Sequence, residues 1–230
     1  MTERDIQLRP PRQKRSRASY ERVLDAASAL LAENGFEGFT VQEVAARAEV
    51  SVGAIYERFG NKESLLRVVH AQLMDSLARG AASFAPARDI GDPAAAIAAA
   101  VAAVATVPRQ EQRVLRVFMH LGAVDAEIAA RGSAASIELG HAFSAAVLAH
   151  RGSIAHPDPE LAVDVAFRMV YCTVARQIMY GPVFESDRRL AWGALVEQLS
   201  IACASYLLTP VAGLAAGGRT SSGRGSPRRA

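Results

Sequence analysis

The 230-residue sequence predicts an all-α protein, with an N-terminal three-helix helix-turn-helix domain followed by a larger C-terminal helical domain, about nine helices in all. Three observations lead to this fold class. Apolar residues recur at spacings of three and four along most of the chain, and no segment shows a confident strand pattern. Half of the residues are hydrophobic, which allows a sizeable core.

The first two helices are predicted from apolar spacing and from a cap. From Ser19 the apolar positions form one stripe, and the glycines of "ENGFEGF" end this helix. Thr40 precedes the next apolar series and Glu43 follows it three residues later. This is the Thr-x-x-Glu capping box, in which each side chain reaches the other's backbone N–H. The second helix is therefore expected to begin near Val41.

A short turn separates the second predicted helix from a third. Ser51 can cap this third helix, whose buried residues would be Ile55 and Phe59, and Gly60 ends it. Asn61 then caps a fourth helix, which can close a small bundle over the first. Two helices joined by so tight a turn, here over about residues 40–59, can lay the second one in the major groove of DNA.

The start of the third helix suits close approach to a nucleic acid. Its first turn, from Ser51 to Ala54, is small and uncharged, so its N–H groups and positive dipole end can come near bases and phosphates. Val52 and Ala54 can touch thymine methyl groups, whereas Tyr56 and Lys62 carry donors for flanking phosphates. Each residue also has a structural alternative, since Tyr56 can pack and Lys62 can be a plain surface lysine.

Both ends of the chain are basic. Residues 1–17 hold six arginines and lysines against two acids, and the segment after Gly213 holds four arginines and no acid. We expect a flexible basic arm over residues 1–16, which can enter the minor groove, and a disordered basic tail over residues 213–230. For the tail alone, a role in solubility is the simpler interpretation.

These residues together closely resemble the N-terminal DNA-binding domain of the tetracycline-repressor (TetR) family of bacterial regulators. The resemblance covers residues 17–77 and rests on Thr40, "VQEVAARA", "VSVGAIYERF" and the Lys62, Glu63, Leu65, Leu66 run. It implies a homodimeric transcription factor, usually a repressor, that binds a palindromic double-stranded DNA operator and releases it when a small molecule enters the C-terminal domain. The candidate DNA-binding residues are then Arg15, Arg17, Thr40, Ser51, Val52, Gly53, Ala54, Tyr56 and Lys62.

One position departs from the family pattern. Glu49 stands where the family usually has glycine, in the turn between the two helices. If that residue is left-handed, a side chain there costs roughly 1 kcal/mol. Glu49 and Glu57 also place negative charge near the DNA-facing element, which makes the neighbouring Arg58 and the basic arm more important to phosphate contact.

Residues 83–210 are expected to form a ligand-binding and dimerisation domain. "APARDIGDP" is predicted to be a link, and breaks at Pro108, at residues 152–159 and at "GPVFES" separate the later helices. The last two helices would pair across a twofold axis. The candidate ligand-binding residues are Phe118, Met119, His120, Phe143, Phe167 and Tyr171, with His141 as a further polar group, although core packing is the alternative for each.

Several classes of protein find no support in the sequence. The first residues have no apolar core of the kind a signal peptide needs, so no signal peptide is expected. The most apolar run, residues 93–108, falls short of the ~20 residues of a membrane helix, and the two cysteines have no zinc-site spacing. No GxSxG, P-loop, GxGxxG or HExxH motif is present. We expect a cytoplasmic protein that is not an enzyme and needs no cofactor or metal. The remaining alternative is a helical ligand-binding or adaptor dimer without sequence-specific DNA binding.

Overall fold

The computed structural model describes residues 14–79 and 84–210, and this part of the chain contains ten α-helices, one 3₁₀ turn and no strand. The all-α prediction is therefore confirmed. The helices are α1 Lys14–Asn34, α2 Val41–Ala48, α3 Val52–Phe59, α4 Lys62–Arg79, α5 Ala85–Asp89, α6 Pro93–Gln110, α7 Gln112–Leu121, α8 Ala126–Leu148, α9 Pro159–Tyr180 and α10 Trp192–Leu208, and the 3₁₀ turn is Arg151–Ser153.

The first four helices form the N-terminal bundle. α1 packs against α2 and α4, and its apolar stripe joins the buried residues of α2 to α4 in one core. α1 begins at Lys14 rather than at Ser19, so the last residues of the predicted arm are helical. The rest of the arm, residues 1–13, and the predicted basic tail lie outside the described residues.

The second core lies between α5, α6, α8, α9 and α10, with α6 packed against each of the other four. The two cores adjoin, because Val114 and Phe118 of α7 and Ile128 of α8 are buried with the N-terminal bundle. α2 and α3 lie at one end of this arrangement, and α4 runs from them towards α7 and α8.

Three expectations for the C-terminal half were wrong. The predicted link contains α5, which accounts for the tenth helix, because burial of Phe84 and Ala87 in the second core holds this short segment in place. Pro108 does not break α6, which continues to Gln110. A proline so near the end of a helix removes one hydrogen bond, and the packing of α6 offsets that loss. The last helix begins at Trp192 rather than directly after the predicted break at "GPVFES", near Asp187.

Candidate nucleic-acid interface and ligand cavity

The turn between α2 and α3 is held by a Schellman motif. Glu49 has φ 55° and ψ 48°, so it is left-handed, the condition under which its side chain is expected to carry a cost. Its N–H donates to the carbonyl of Ala46, and the N–H of Val50 donates to that of Ala45. Arg22 of α1 adds a hydrogen bond of 3.1 Å from its Nε to the carbonyl of Ala48. The steep turn is therefore built from backbone bonds, despite the missing glycine.

The exposed N-terminus of α3 is the centre of the candidate interface. The hydroxyl of Ser51 accepts a hydrogen bond from the N–H of Ala54 at 3.1 Å, which confirms the predicted cap. Ser51, Gly53 and Ala54 are exposed, whereas Ile55 and Phe59 are buried as predicted. A Cβ added at Gly53 would meet only the Ser51 hydroxyl, at 3.9 Å, so the space outside this turn is open.

Two further residues of α3 lie beside this turn. The Tyr56 side chain is 44% exposed and makes no hydrogen bond to a described residue, so its hydroxyl is free to contact a partner. Val52 is half-buried against the N-terminal core, which leaves less of it available than of Ala54. The structure thus places Tyr56 and the first turn of α3 on one accessible surface, with Val52 at its edge.

Thr40 and Lys62 are engaged within the protein. The Thr40 hydroxyl accepts from the N–H of Glu43 at 3.2 Å and donates to the Glu43 carboxylate at 2.8 Å. The carboxylate therefore reaches the hydroxyl rather than the backbone N–H that the capping box predicted. The Lys62 ammonium donates to the carbonyl of Phe39 at 2.8 Å and lies 4.7 Å from the centre of the Phe36 ring. Lys62 thereby fixes the loop that leads into α2.

The start of α1 is fixed to α3 by Arg58, a residue that the sequence analysis linked to phosphate contact. Arg58 donates to the backbone carbonyl of Ser16 at 3.1 Å and to its hydroxyl at 2.8 Å. Its guanidinium also lies 5.9 Å from the centre of the Tyr20 ring. Arg17 is exposed and pairs with Glu21 at 3.0 Å, one turn along α1. The side chain of Arg15 lies outside the described residues.

A cavity of about 720 Å³ lies between α4 and the helices of the C-terminal domain. This volume falls within the range of roughly 300–1,000 Å³ that small-molecule sites occupy. Three predicted ligand-binding residues line it, Phe118, Met119 and Tyr171, and so does His141. The other lining residues are mostly apolar, among them Met74, Leu77, Val104, Leu115, Ile128, Leu139, Val174 and Ile178.

The other three predicted ligand-binding residues do not line the cavity. His120 is exposed, and its Nδ1 lies 2.8 Å from the carbonyl of Arg116 one turn earlier. Phe143 is fully buried in the second core, where its ring lies 5.7 Å from that of Phe167. Phe167 in turn packs beside Tyr171 and against Gly140, where a Cβ would lie 2.9 Å from its ring. These two phenylalanines are core residues that support the cavity wall.

His70 is a cavity residue that the sequence analysis missed. It lies on α4 with 3% of its surface exposed, and its ring centre is 4.8 Å from that of Phe118. Burial lowers the pKa of His70 to about 4, helped by the positive charge of Arg131 and opposed by Asp125. His70 lies three residues before Leu73, on the buried side of α4, but this spacing does not indicate that the side chain lines a cavity.

A polar contact connects α4 to the start of α8. Asp125 caps α8 by accepting from the N–H groups of Glu127 and Ile128 at 3.0 and 3.1 Å. Its other carboxylate oxygen accepts from two nitrogens of Arg67, at 3.1 and 3.0 Å. The Ile128 N–H and Arg67 together hold the pKa of Asp125 below its usual range. A shift of α8 would therefore act directly on α4 through the contact between Asp125 and Arg67.

The outer faces of α9 and α10 expose large apolar side chains. Leu161 is 53% exposed, Met169 is 39% exposed and Ile201 of α10 is 52% exposed. Within the described residues, no helix is long and apolar enough to cross a membrane. In the same ranges, no cluster of three or more His, Cys, Asp or Glu residues is arranged to hold a metal ion.

The chain is similar to bacterial regulators in sequence and in fold. Residues 23–69 match the family model described as "Bacterial regulatory proteins, tetR family". The fatty acid metabolism regulator protein of Bacillus subtilis (strain 168) is 42% identical over 53 residues, which are 23% of this chain and 27% of that protein. The match to each of the first curated relatives spans 27–35% of the relative's length.

The structural likeness extends over most of the chain. A transcriptional regulator from Rhodococcus sp. Rha1 is 25% identical with a TM-score of 0.61, covering 81% of this chain and 94% of that one. FadR from Bacillus subtilis, solved in complex with stearoyl-CoA, is 18% identical with a TM-score of 0.60, covering 82% and 99%. At that identity the second likeness concerns the fold alone.

Proposed function

We propose that the chain is a member of the tetR family of bacterial regulatory proteins, whose model its residues 23–69 match, and that it regulates transcription in the cytoplasm as a DNA-binding repressor rather than as an enzyme. In this proposal it binds a palindromic operator as a homodimer and is released by a small-molecule effector. The observation that carries the proposal is the open, uncharged N-terminus of α3, with Ser51, Gly53 and Ala54 exposed beside Tyr56.

The proposed reading surface combines base and phosphate contacts. Ser51, Gly53 and Ala54 let the helix end approach base edges, and Val52 contributes its exposed part to a thymine methyl group. Tyr56 donates its free hydroxyl to a phosphate. Arg15 and Arg17 contact the adjacent backbone or minor groove from the start of α1, which Arg58 fixes to α3.

Thr40 and Lys62 act in the proposal with only part of their hydrogen-bonding capacity. The Lys62 ammonium has three donors, of which one binds Phe39, so the others remain for a phosphate. The Thr40 hydroxyl already donates to Glu43, and its remaining lone pair cannot serve a phosphate oxygen. Thr40 therefore contributes through the exposed N-terminus of α2, which it caps, more than through its own side chain.

The proposed effector site is the cavity beside α4. Its volume and its apolar lining, which includes Phe118, Met119 and Tyr171, suit a small organic molecule. A ligand there contacts both α4 and α8, which Arg67 and Asp125 already join. Since α4 begins at Lys62, next to the end of α3, a displacement of α4 is expected to move the reading surface.

The proposed dimer forms through α9 and α10. Their exposed apolar side chains, Leu161, Met169 and Ile201, would be buried against a second copy of the chain. A twofold dimer presents two copies of α3 to two half-sites at a fixed spacing, which explains how two short reading helices can select one operator.

Gly53→Gln gives a sharp test of the proposal. The free protein has room for this side chain, and glutamine favours a helix more than glycine does, so stability should not fall. A side chain at the helix end would hold α3 away from the groove, and we expect DNA affinity to drop at least about tenfold, or ~1.4 kcal/mol. Gly91→Gln, at an equally open glycine remote from α3, is the control. Fluorescence anisotropy with a labelled duplex measures both.

The same assay separates the proposal from its rival. A helical ligand-binding or adaptor dimer would bind duplex DNA weakly, and Gly53→Gln would bind it as well as wild type does. A second pair of substitutions repeats the test. Tyr56→Ala should weaken DNA binding, whereas Val124→Ala, at a residue that is 84% exposed in the loop before α8, should not.

A further inference from the structure

His70 stands out as the buried polar side chain of the described residues. It is 3% exposed, and its ring nitrogens make no hydrogen bond to any residue in the described ranges. Because His70 also lines the cavity, these nitrogens are available to a molecule bound there. A polar group in a mostly apolar cavity wall can fix the orientation of a ligand through a hydrogen bond.

The other polar side chains of the cavity wall offer much less to a ligand. Tyr171 and Ser136 bind each other, with 2.6 Å between their hydroxyl oxygens, and the Ser136 hydroxyl lies 2.9 Å from the carbonyl of Gly132. Glu138 and His141 are 3.7 Å apart and stay exposed, with 76% and 72% of their side chains accessible. Arg88 is also exposed. The charged side chains of the lining therefore lie at the rim of the cavity, and His70 is the polar side chain in its interior.

The surroundings of His70 disfavour a charged partner. Burial lowers its pKa to about 4, so the imidazole is neutral at pH 7 and offers one donor and one acceptor. Around it lie Met74, Phe118 and Ile128, which cannot solvate an ion. A carboxylate or ammonium group brought to this depth would lose its water, whereas the charged residues of the lining, Arg88 and Glu138, are exposed at the rim.

We propose that the cavity binds a mostly apolar, uncharged molecule whose single hydroxyl, carbonyl or amine group hydrogen-bonds to His70, and that His70 determines this specificity. The inference rests on the proposed function only in taking the cavity to be the effector site. It also assigns the contact through which a ligand acts on α4, since His70 lies two turns along the helix that starts at Lys62. A ligand held by His70 thus binds to the helix that adjoins the reading surface.

Two fluorescent probes with the same ring skeleton test the inference on the full-length protein. N-phenyl-1-naphthylamine is uncharged and carries one N–H group, and 8-anilinonaphthalene-1-sulfonate adds a sulfonate to it. We expect the neutral probe to bind at least about tenfold more tightly, because a sulfonate beside His70 would lose its water and the positive charge of Arg88 is exposed at the rim. Equal affinities, tighter binding of the sulfonate, or no binding of the neutral probe would overturn the inference.

Substitutions of His70 identify the contact. His70→Phe keeps a ring of similar size, and we expect it to weaken binding of the neutral probe about three- to tenfold by removing one hydrogen bond. His70→Gln retains an uncharged donor and acceptor and should restore most of the affinity. His120→Phe makes the same substitution at an exposed histidine that does not line the cavity, and as the control it should stay within about twofold. Equal affinity of wild type and His70→Phe would contradict the assignment.

A cavity-filling variant establishes where the probe binds. Gly132 lines the cavity, and a Cβ added to it would meet no atom within 4 Å. Gly132→Phe should therefore fold and occupy part of the space, and we expect it to lower the affinity for the neutral probe at least about tenfold. Circular dichroism confirms the fold of each variant. If His70→Phe does not fold, the His70→Gln variant and the comparison of the two probes still test whether the cavity prefers an uncharged ligand bound to His70.

Failure of this inference is distinguishable from failure of the proposed function. DNA binding by the wild-type protein is measured in parallel with probe binding. Loss of probe discrimination in a protein that binds DNA would overturn the specificity of His70 and leave the regulator intact. Probe discrimination in a protein that does not bind DNA would overturn the regulator and leave the ligand class standing.

Discussion

At the scale of single residues, Glu49 carries a backbone cost that the rest of the turn offsets. A left-handed conformation costs a residue with a Cβ roughly 1 kcal/mol, and the Schellman hydrogen bonds of the turn keep it in place. Its carboxylate is exposed on the side of the molecule that carries α3. Glu49 therefore affects both the stability of the turn and the charge of the proposed interface.

Glu49→Gly should improve both properties. We expect the free energy of unfolding to rise by about 0.5–1 kcal/mol, because glycine adopts φ 55° without strain. DNA affinity should also rise, since a negative charge leaves the interface. Urea unfolding and anisotropy measure the two effects. Glu49→Gln is the control, which should raise DNA affinity without adding stability. A Glu49→Gly protein that is less stable than the wild type would contradict the claim that Glu49 is strained.

His70 makes the stability of the protein depend on pH. Its pKa is about 4 in the folded protein and about 6.5 when exposed, so the unfolded chain takes up a proton in this interval that the folded chain does not. The stabilisation is complete above the unfolded pKa and is lost as pH falls towards the folded one. Between pH 7 and pH 5 this loss should be about 1–2 kcal/mol.

His70→Phe should remove this part of the pH dependence. Chemical denaturation of wild type and variant at the two pH values measures it, with the exposed His141→Gln as a control. A variant that loses as much stability on acidification as the wild type does would show that the dependence has another origin.

At the scale of single residues, local signals were readable from the sequence and distant partners were not. The caps Thr40, Ser51 and Asn61 were predicted because each binds a backbone N–H three residues away. The partner of Lys62 is the carbonyl of Phe39, 23 residues earlier, and no spacing rule indicates it. Arg58 binds Ser16, 42 residues earlier, and no spacing rule indicates this contact either.

At the scale of helices, Asp125 joins the two halves of the molecule. One of its carboxylate oxygens caps α8 and the other binds Arg67 of α4. The two contributions differ in size. A helix cap contributes about 0.5–2 kcal/mol, whereas an ion pair as exposed as this one contributes about 0–1 kcal/mol.

Substitutions of Asp125 and Arg67 can therefore be ranked. Asp125→Ala should lower the free energy of unfolding by about 1–2 kcal/mol, because it removes both contacts. Asp125→Asn keeps the cap and should cost less than about half of that, and Arg67→Ala should resemble it. Equilibrium urea unfolding gives the three values. An Arg67→Ala loss as large as that of Asp125→Ala would show that the ion pair matters more than the cap.

Helix boundaries were predicted where they depend on local signals. α9 runs from Pro159 to Tyr180 as expected, because a proline starts it and Gly181, with a positive φ, ends it. α5 and the continuation of α6 through Pro108 were missed, since packing in the second core decides them. Which residues line the cavity depends on how helices from both halves of the molecule pack together. The sequence therefore did not indicate that Phe118 lines the cavity whereas Phe143 and Phe167 do not.

At the scale of the whole molecule, the account requires a dimer through α9 and α10. Met169→Glu combined with Ile201→Glu places two charges on their exposed faces. We expect this variant to be monomeric in light scattering and to lose most operator affinity, because a single reading helix makes half of the contacts. Val124→Glu, at a residue 84% exposed in the loop before α8, is the control. A dimeric double variant would place the interface elsewhere.

Selection of bound DNA from a random duplex pool by the full-length protein tests the central claim most directly. The account predicts enrichment of a palindrome whose half-sites lie about one or more helical turns apart, as two copies of α3 on a twofold dimer require. The Gly53→Gln protein should enrich this palindrome much less strongly under the same conditions. No enrichment by the folded wild-type protein at low salt would contradict the account and favour a helical ligand-binding dimer instead.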